Sequence, residues 1–223
     1  MLIAGMQKLS LLDYPGQMCA VVFVPFCNMN CVYCHNYHLL KAGTPLLDES
    51  YVLDYLGKRK DVLSAVVVTG GEPTLQQGLE TFIYCVKEMG YLVKLDTNGT
   101  KPEVVKELMG KGLIDYVAMD IKANEAKYSA IADAKIDMSA IRRSIFLLMN
   151  GDVPYEFRTT FAPQLSREDI LDAAELIKGT PAYYLQQYRK RNDSDPEPHV
   201  PSYVNETADA VREKLGVCVV RGL

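Results

Sequence analysis

The chain of 223 residues is 48% hydrophobic and 23% charged, with a formal net charge of -4, which suits one compact domain with a full-sized core and argues against disorder. The acidic balance supplies no basic stripe to track a phosphate backbone, so nucleic acid is excluded as the main partner in favour of a protein or a small molecule. Met1 to Ser10 lacks a charged stretch followed by an apolar one, and the apolar run from Cys19 to Phe26 is too short to span a bilayer; a cytoplasmic protein without a membrane partner is expected.

Taken in chain order, CAVVFVPF from Cys19 reads as the first strand and runs into VPFCNMNCVYCHN, where Cys27, Cys31 and Cys34 crowd beside His35. LSAVVV from Leu63 reads as the second strand and ends on Thr69-Gly-Gly-Glu-Pro73. Thr74-Leu-Gln-Gln77 has the form of a capping box opening a helix toward Glu88, with Gly90 closing it. YLVKL from Tyr91 gives the third strand and ends on Asp96-Thr-Asn-Gly99; Pro102 then fits the first turn of a helix that stops near Gly110.

DYVAM from Asp115 leads into Asp120-Ile-Lys122, and Met138 to Met149 has one apolar helical face. YEFRTTF from Tyr155 carries Arg158 and Thr159, and Ser166-Arg-Glu-Asp169 forms a second capping box before Ile170, Ala174 and Ile177, with Gly179 beyond. AYYLQQY from Ala182 ends on Gln187 and Arg189. The proline-rich stretch 191–202 reads as a surface loop, and 203–223 as an amphipathic helix through Val204, Ala208, Val211 and Leu215 followed by a short strand.

Most of these β-rich runs lack clean alternation, as strands covered on both faces do. Strand and helix alternating six times predict a single α/β domain on a parallel sheet, over residues 1–223 with its core at about 16–190. The unusual polar residues all fall at or near strand carboxyl ends, the face where such sheets build their sites.

The chain has six cysteines, and in a reducing cytosol three clustered ones point to metal or redox chemistry. A structural zinc site takes four ligands in separated pairs, so three thiols in one tight loop leave it incomplete unless His35 or His38 joins. Thiolates at this spacing also wrap an iron-sulfur cubane corner by corner, leaving one iron free. Both readings stand on spacing alone. Cys19, Cys85 and Cys218 are scattered in apolar runs and read as small buried side chains.

The loop Cys27-x3-Cys31-x2-Cys34, with Tyr33 before its last cysteine, resembles the signature of the radical S-adenosylmethionine superfamily. VVVTGGEPTLQ resembles that superfamily's Gly-Gly-Glu segment, and KLDTNG and MDIK resemble motifs of glycyl-radical-enzyme activases. With LLDYPG, CHN, DYVAMDIK, EFRTT and YLQQYR, the stretch from about Gly5 to Arg191 is most similar to anaerobic ribonucleoside-triphosphate reductase activating proteins. Phe26 departs from the pattern, since many relatives carry glycine before the first cysteine.

The resemblance implies a partial (β/α)6 TIM-like barrel in which Cys27, Cys31 and Cys34 bind three irons of a 4Fe-4S cluster and S-adenosylmethionine chelates the fourth. One electron would then cleave the carbon-sulfur bond to give methionine and a 5'-deoxyadenosyl radical, which takes a hydrogen from a glycine of a partner glycyl-radical enzyme. A flavodoxin- or ferredoxin-type donor supplies the electron. Gly70, Gly71 and Glu72 would bring backbone carbonyls to the methionine ammonium, a close approach that suits glycine, although such a pair also makes an ordinary turn. Tyr33 would lie against adenine or is a loop aromatic. Asp96, Asp120 and Lys122 would surround the methionine carboxylate, Lys122 directly and the acids by way of a monovalent cation; otherwise Asp96 caps a turn and Lys122 is a surface charge. Arg158, in a strand too apolar for an unpaired charge, reaches the cofactor or pairs with an acid that neighbours Glu156 in the fold. Gln187 and Arg189 would contact ribose or simply end a strand. Competing readings are a radical enzyme for a small molecule or peptide, an activase of a pyruvate formate-lyase type of enzyme, and a zinc-stabilised binding module.

Overall fold

A computed structural model describes residues 1–41 and 43–223. Its first strand, β1 (Gly5–Ser10), lies antiparallel to β2 (Cys19–Val24). From β2 onward the chain alternates: α1 (Glu49–Gly57), β3 (Ala65–Gly70), α2 (Leu79–Glu88), β4 (Leu92–Thr97), α3 (Pro102–Gly110), β5 (Tyr116–Asp120), α4 (Glu125–Ala132), α5 (Met138–Met149), β6 (Tyr155–Phe161), α6 (Arg167–Glu175), β7 (Tyr183–Gln187), α7 (Pro201–Leu215) and β8 (Val219–Arg221). The strands form one eight-stranded sheet in sequence order, parallel from β2 to β8. β2 to β7, each followed by helix, are the six β/α units of a partial TIM-like barrel; among the described residues no pairing joins β8 back to β1.

Strand alternation separates two interiors. Val22, Val66, Val93, Leu95, Val117 and Phe157 face the helices and are fully buried, which drives the helix layer onto the sheet. Cys19, Val21, Ala65 and Val67 point the other way, into the lumen, and pack with Tyr14. The Tyr14 and Tyr116 rings lie 5.6 Å apart there, and their hydrocarbon fills the lumen on the side away from the strand carboxyl ends.

Two expected element boundaries change. Thr74 opens no capping box: a single 3-10 turn spans Pro73–Leu75, α2 begins at Leu79, and the Thr74 hydroxyl bonds Glu72 instead. The loop 191–202 is cut short by α7, because Pro201 occupies the first helical turn, where its missing N–H costs nothing. β1, α1 and α4 add to the expected set. By contrast, Ser166 and Asp169 do close a reciprocal capping box on α6, and α3 and α5 occupy the expected spans.

Candidate functional site

The loops that follow β2 and β3 are laced together by backbone. Gly71 N–H donates to Val24 O and Glu72 N–H to Phe26 O, both at 2.8 Å, and the Gln76 amide donates to Pro25 O at 2.6 Å. The approach leaves no room for side chains: a Cβ on Gly70 would lie 2.5 Å from Val24 N, and one on Gly71 would lie 1.8 Å from Phe26 O. Phe26 itself sits at φ 65, the left-handed region that penalises a side chain, and this is the position at which the resemblance leads one to expect glycine. Gly71→Ala is therefore expected to cost about 2–3 kcal/mol and lower the thermal midpoint by about 5–10 °C. Gly110→Ala, whose Cβ meets nothing within 4 Å, serves as the control; equal midpoints for the two would show that the loops do not depend on this contact.

Beyond Phe26 the cysteine loop is braced on α4: Asn30 N–H donates to Ala132 O at 2.9 Å and Val32 N–H to Ile131 O at 3.1 Å. Cys27, Cys31 and Cys34 thereby line one cavity of about 460 Å³, together with Tyr33 and Thr69–Glu72, within the range of small-molecule and cofactor sites. Burial pushes the Cys27 thiol up to about 11 and raises that of Cys34, so each is protonated at neutral pH until a metal displaces the proton. Among the described residues no three His, Cys, Asp or Glu side chains converge as they would on a single ion. An all-sulfur donor set spread around a cofactor-sized cavity fits a polynuclear iron-sulfur group.

The cavity floor is an ionic lattice reaching into the lumen. Arg158 bridges two acids, Nε to Asp120 Oδ1 at 2.8 Å and NH1 to Asp96 Oδ2 at 3.1 Å. Lys94 Nζ lies 2.7 Å from Asp96 Oδ1, and Lys122 Nζ lies 3.0 Å from Asp120 Oδ2. The positive charge standing between the acids is thus the guanidinium. Burial alone would push both carboxyls up, but Arg158 foremost, with Lys94 at Asp96 and Lys122 at Asp120, holds them below the usual carboxylate range. Lys122 also stands 5.8 Å from the centre of the buried Tyr33 ring, a cation–π distance.

Glu72 ties two strand ends together. Its buried carboxylate accepts from Thr74 N (3.1 Å), Thr74 Oγ1 (2.5 Å), Thr97 Oγ1 (2.7 Å) and Asn98 N (2.7 Å). Burial raises its carboxyl above the usual range, opposed by those hydrogen bonds. Gly70 O accepts from Asn36 Nδ2 at 3.1 Å, so CHN contributes its asparagine to the same wall.

The cavity gathers every expected site residue except Gln187 and Arg189. The pleat explains the first: Gln186 faces the lumen and lines the cavity, whereas Gln187 points outward and donates to His199 O at 2.8 Å. Arg189 is exposed and its nearest partner is Gly222 O, at 3.5 Å. Lys94 and Asn98 are additions. Lys94 stands two residues before Asp96, on the same face of β4, which was the available signal; Asn98 lies inside KLDTNG but has no distinguishing chemistry without its partners.

This fold and site define a class. The chain belongs to the radical SAM superfamily, whose family pattern matches residues 21–177. It is 38% identical, over 88% of its length and 83% of the relative's, to a protein of Methanocaldococcus jannaschii named "Putative glycyl-radical enzyme activating enzyme". It is also 32% identical to 7-carboxy-7-deazaguanine synthase of Neisseria meningitidis serogroup B, but over 57% of this chain and 52% of that one. Among solved structures, S-adenosylmethionine-bound SuiB of Streptococcus suis superposes with a TM-score of 0.71 at 12% identity, covering 91% of this chain and 52% of that one. A domain of pyruvate-formate lyase-activating enzyme from Bacteroides vulgatus gives 0.57 at 19% identity, covering 71% of this chain and 99% of that domain. No helix of the described residues is long and apolar enough to cross a membrane.

Proposed function

We propose that this radical SAM enzyme is a cytoplasmic activase that installs a glycyl radical on a partner enzyme, an anaerobic ribonucleoside-triphosphate reductase, with a flavodoxin- or ferredoxin-type protein as electron donor. The observation that carries the activase reading is the 38% identity to a relative of that name across 88% of the chain. The choice of reductase rests on LLDYPG, CHN and YLQQYR. When bound, a 4Fe-4S cluster and S-adenosylmethionine supply one-electron cleavage of the sulfonium to methionine and a 5'-deoxyadenosyl radical.

The chain's own residues position that chemistry. Cys27, Cys31 and Cys34 hold the cluster. Gly70 and Gly71 leave backbone accessible for an ammonium to approach, with Glu72 fixing the turn. In the floor, Lys94, Lys122 and Arg158 face Asp96 and Asp120, and of the three cations Lys122 and Arg158 line the cavity itself. Those two charges favour an anionic group such as the methionine carboxylate, and the Tyr33 ring beside Lys122 would take adenine. A monovalent cation between the acids is a further way of holding the same carboxylate.

Mixing the reduced protein, S-adenosylmethionine and the reductase without oxygen is expected to produce a glycyl-radical doublet in electron paramagnetic resonance. If glycyl-radical enzymes stay silent while a small molecule is consumed, the activase reading fails and a substrate class nearer the deazaguanine synthase relative replaces it.

A further inference from the structure

Asn98 leaves β4 at the point where the Glu72 carboxylate takes its backbone N–H, and its side chain is buried. Its orientation is settled by partners. The carbonyl Oδ1 accepts from Thr100 N–H at 3.0 Å and from Thr100 Oγ1 at 2.7 Å, and only an oxygen can accept from a backbone N–H. The amide nitrogen must then face the other way. One of its hydrogens reaches Asn28 Oδ1, with 2.9 Å between heavy atoms, and the second points at Cys27 Sγ, 3.7 Å away. Asn28 Nδ2 returns a bond to Thr100 Oγ1 at 2.9 Å, closing a ring of three side chains beside the sulfur. Cys27 Sγ receives one further donor, Met29 N–H at 3.4 Å.

Such an arrangement has an electronic consequence for a metal thiolate. A donor aimed at the sulfur stabilises negative charge there, and it does so more in the reduced cluster, where one electron has been added and no bond is made or broken; hydrogen bonds to the sulfurs are among the determinants of cluster potential. We propose that Asn98, held by Glu72 and Thr100, is a positioning residue that donates a hydrogen bond to the Cys27 ligand and thereby raises the reduction potential of the cluster, easing entry of the electron from the donor protein. This gives the Gly-Gly-Glu segment a second task besides its glycines: through Glu72 it aims the Asn98 amide. The inference rests on the reading of Cys27 as a cluster ligand.

Potentiometric titration of the loaded enzyme, followed by the resonance of the reduced cluster, tests it on Asn98→Leu, which keeps the bulk without the donor, and Asn98→Asp, which keeps both Thr100 contacts and turns an oxygen toward the sulfur. Both midpoints are expected to move negative. At the wild-type midpoint the reduced-to-oxidised ratio of Asn98→Leu should fall about tenfold, equivalent to about 59 mV for a one-electron couple, and that of Asn98→Asp further. An unchanged or more positive midpoint in a variant with its full iron and sulfide overturns the proposal. Should both variants lose the cluster, the wild type decides: with asparagine labelled by 15N in the side-chain amide alone, pulsed resonance of the reduced cluster should show a weak nitrogen coupling. A loaded wild type without that coupling removes this inference alone, whereas a wild type that binds no iron or sulfide removes the cluster reading and this inference with it.

Discussion

Alanine at any one of Cys27, Cys31 or Cys34 is expected to abolish the release of 5'-deoxyadenosine from S-adenosylmethionine under reducing, oxygen-free conditions, while alanine at Cys85 leaves it intact. The contrast follows from where the sulfurs lie. The first three line one cavity, their loop held by α4 and by the Gly70–Gly71 approach, and a cluster bound at three corners has no spare ligand: with one iron reserved for substrate, losing a thiolate exposes a second iron and loosens the whole group. Cys85 sits partly buried on α2, away from the cavity. Its truncation removes a small packed atom and should cost on the order of 1 kcal/mol of stability. Metal analysis belongs beside the activity assay, because each cavity variant should also lose iron and sulfide together. Equal loss of product in Cys85→Ala and Cys27→Ala would contradict the ligand assignment, and stoichiometric zinc without sulfide in the wild type would replace the enzyme reading by a zinc-stabilised module.

Much of this site was legible because its chemistry is written locally. Three cysteines within eight residues, a Gly-Gly-Glu at one strand end and Asp-x-Lys at another need no tertiary knowledge to be noticed, and their common position at strand carboxyl ends placed them on one mouth before any packing was considered. What escaped notice depends on pairing across strands. Lys94 reads as an exception in an apolar strand until Arg158 arrives from β6 beside Asp96. Gln186 and Gln187 are chemically identical neighbours, and only the register of β7 against β6, with Thr160 opposite Gln186, tells which one enters the lumen. β1 escaped because Gln7, Lys8 and Leu9 are exposed along an edge strand, so burial imposes no strand-like pattern on it. Thr74 misled in the opposite sense: its spacing from Gln77 imitates a helix start, but the buried Glu72 carboxylate competes successfully for its hydroxyl and N–H.

Arg158 is where the cost of the site is concentrated, and Arg158→Met is expected to be the most destabilising substitution on the cavity floor. Methionine has comparable length but no charge, so it leaves Asp96 and Asp120 in a cavity with one lysine each where a guanidinium had bridged them. Removing one member of a buried ionic network costs about 3–5 kcal/mol, chiefly because the remaining charges stay desolvated. The pH dependence identifies the cause. In the wild type both carboxyls are held below their usual range, so their contribution to stability is complete above the unfolded value of about 3.9 and is lost as the pH falls through the lower folded values. Without Arg158 the same carboxyls bind protons at higher pH, and protonation relieves the uncompensated charge. The stability gap between wild type and Arg158→Met should therefore be widest near neutral pH and narrow steadily on acidification, as read by urea unfolding at a series of pH values. A gap independent of pH would mean that Arg158 acts through packing alone. A floor that still gathered an anionic ligand as tightly in Arg158→Met would show that the guanidinium is not what attracts the ligand's carboxylate.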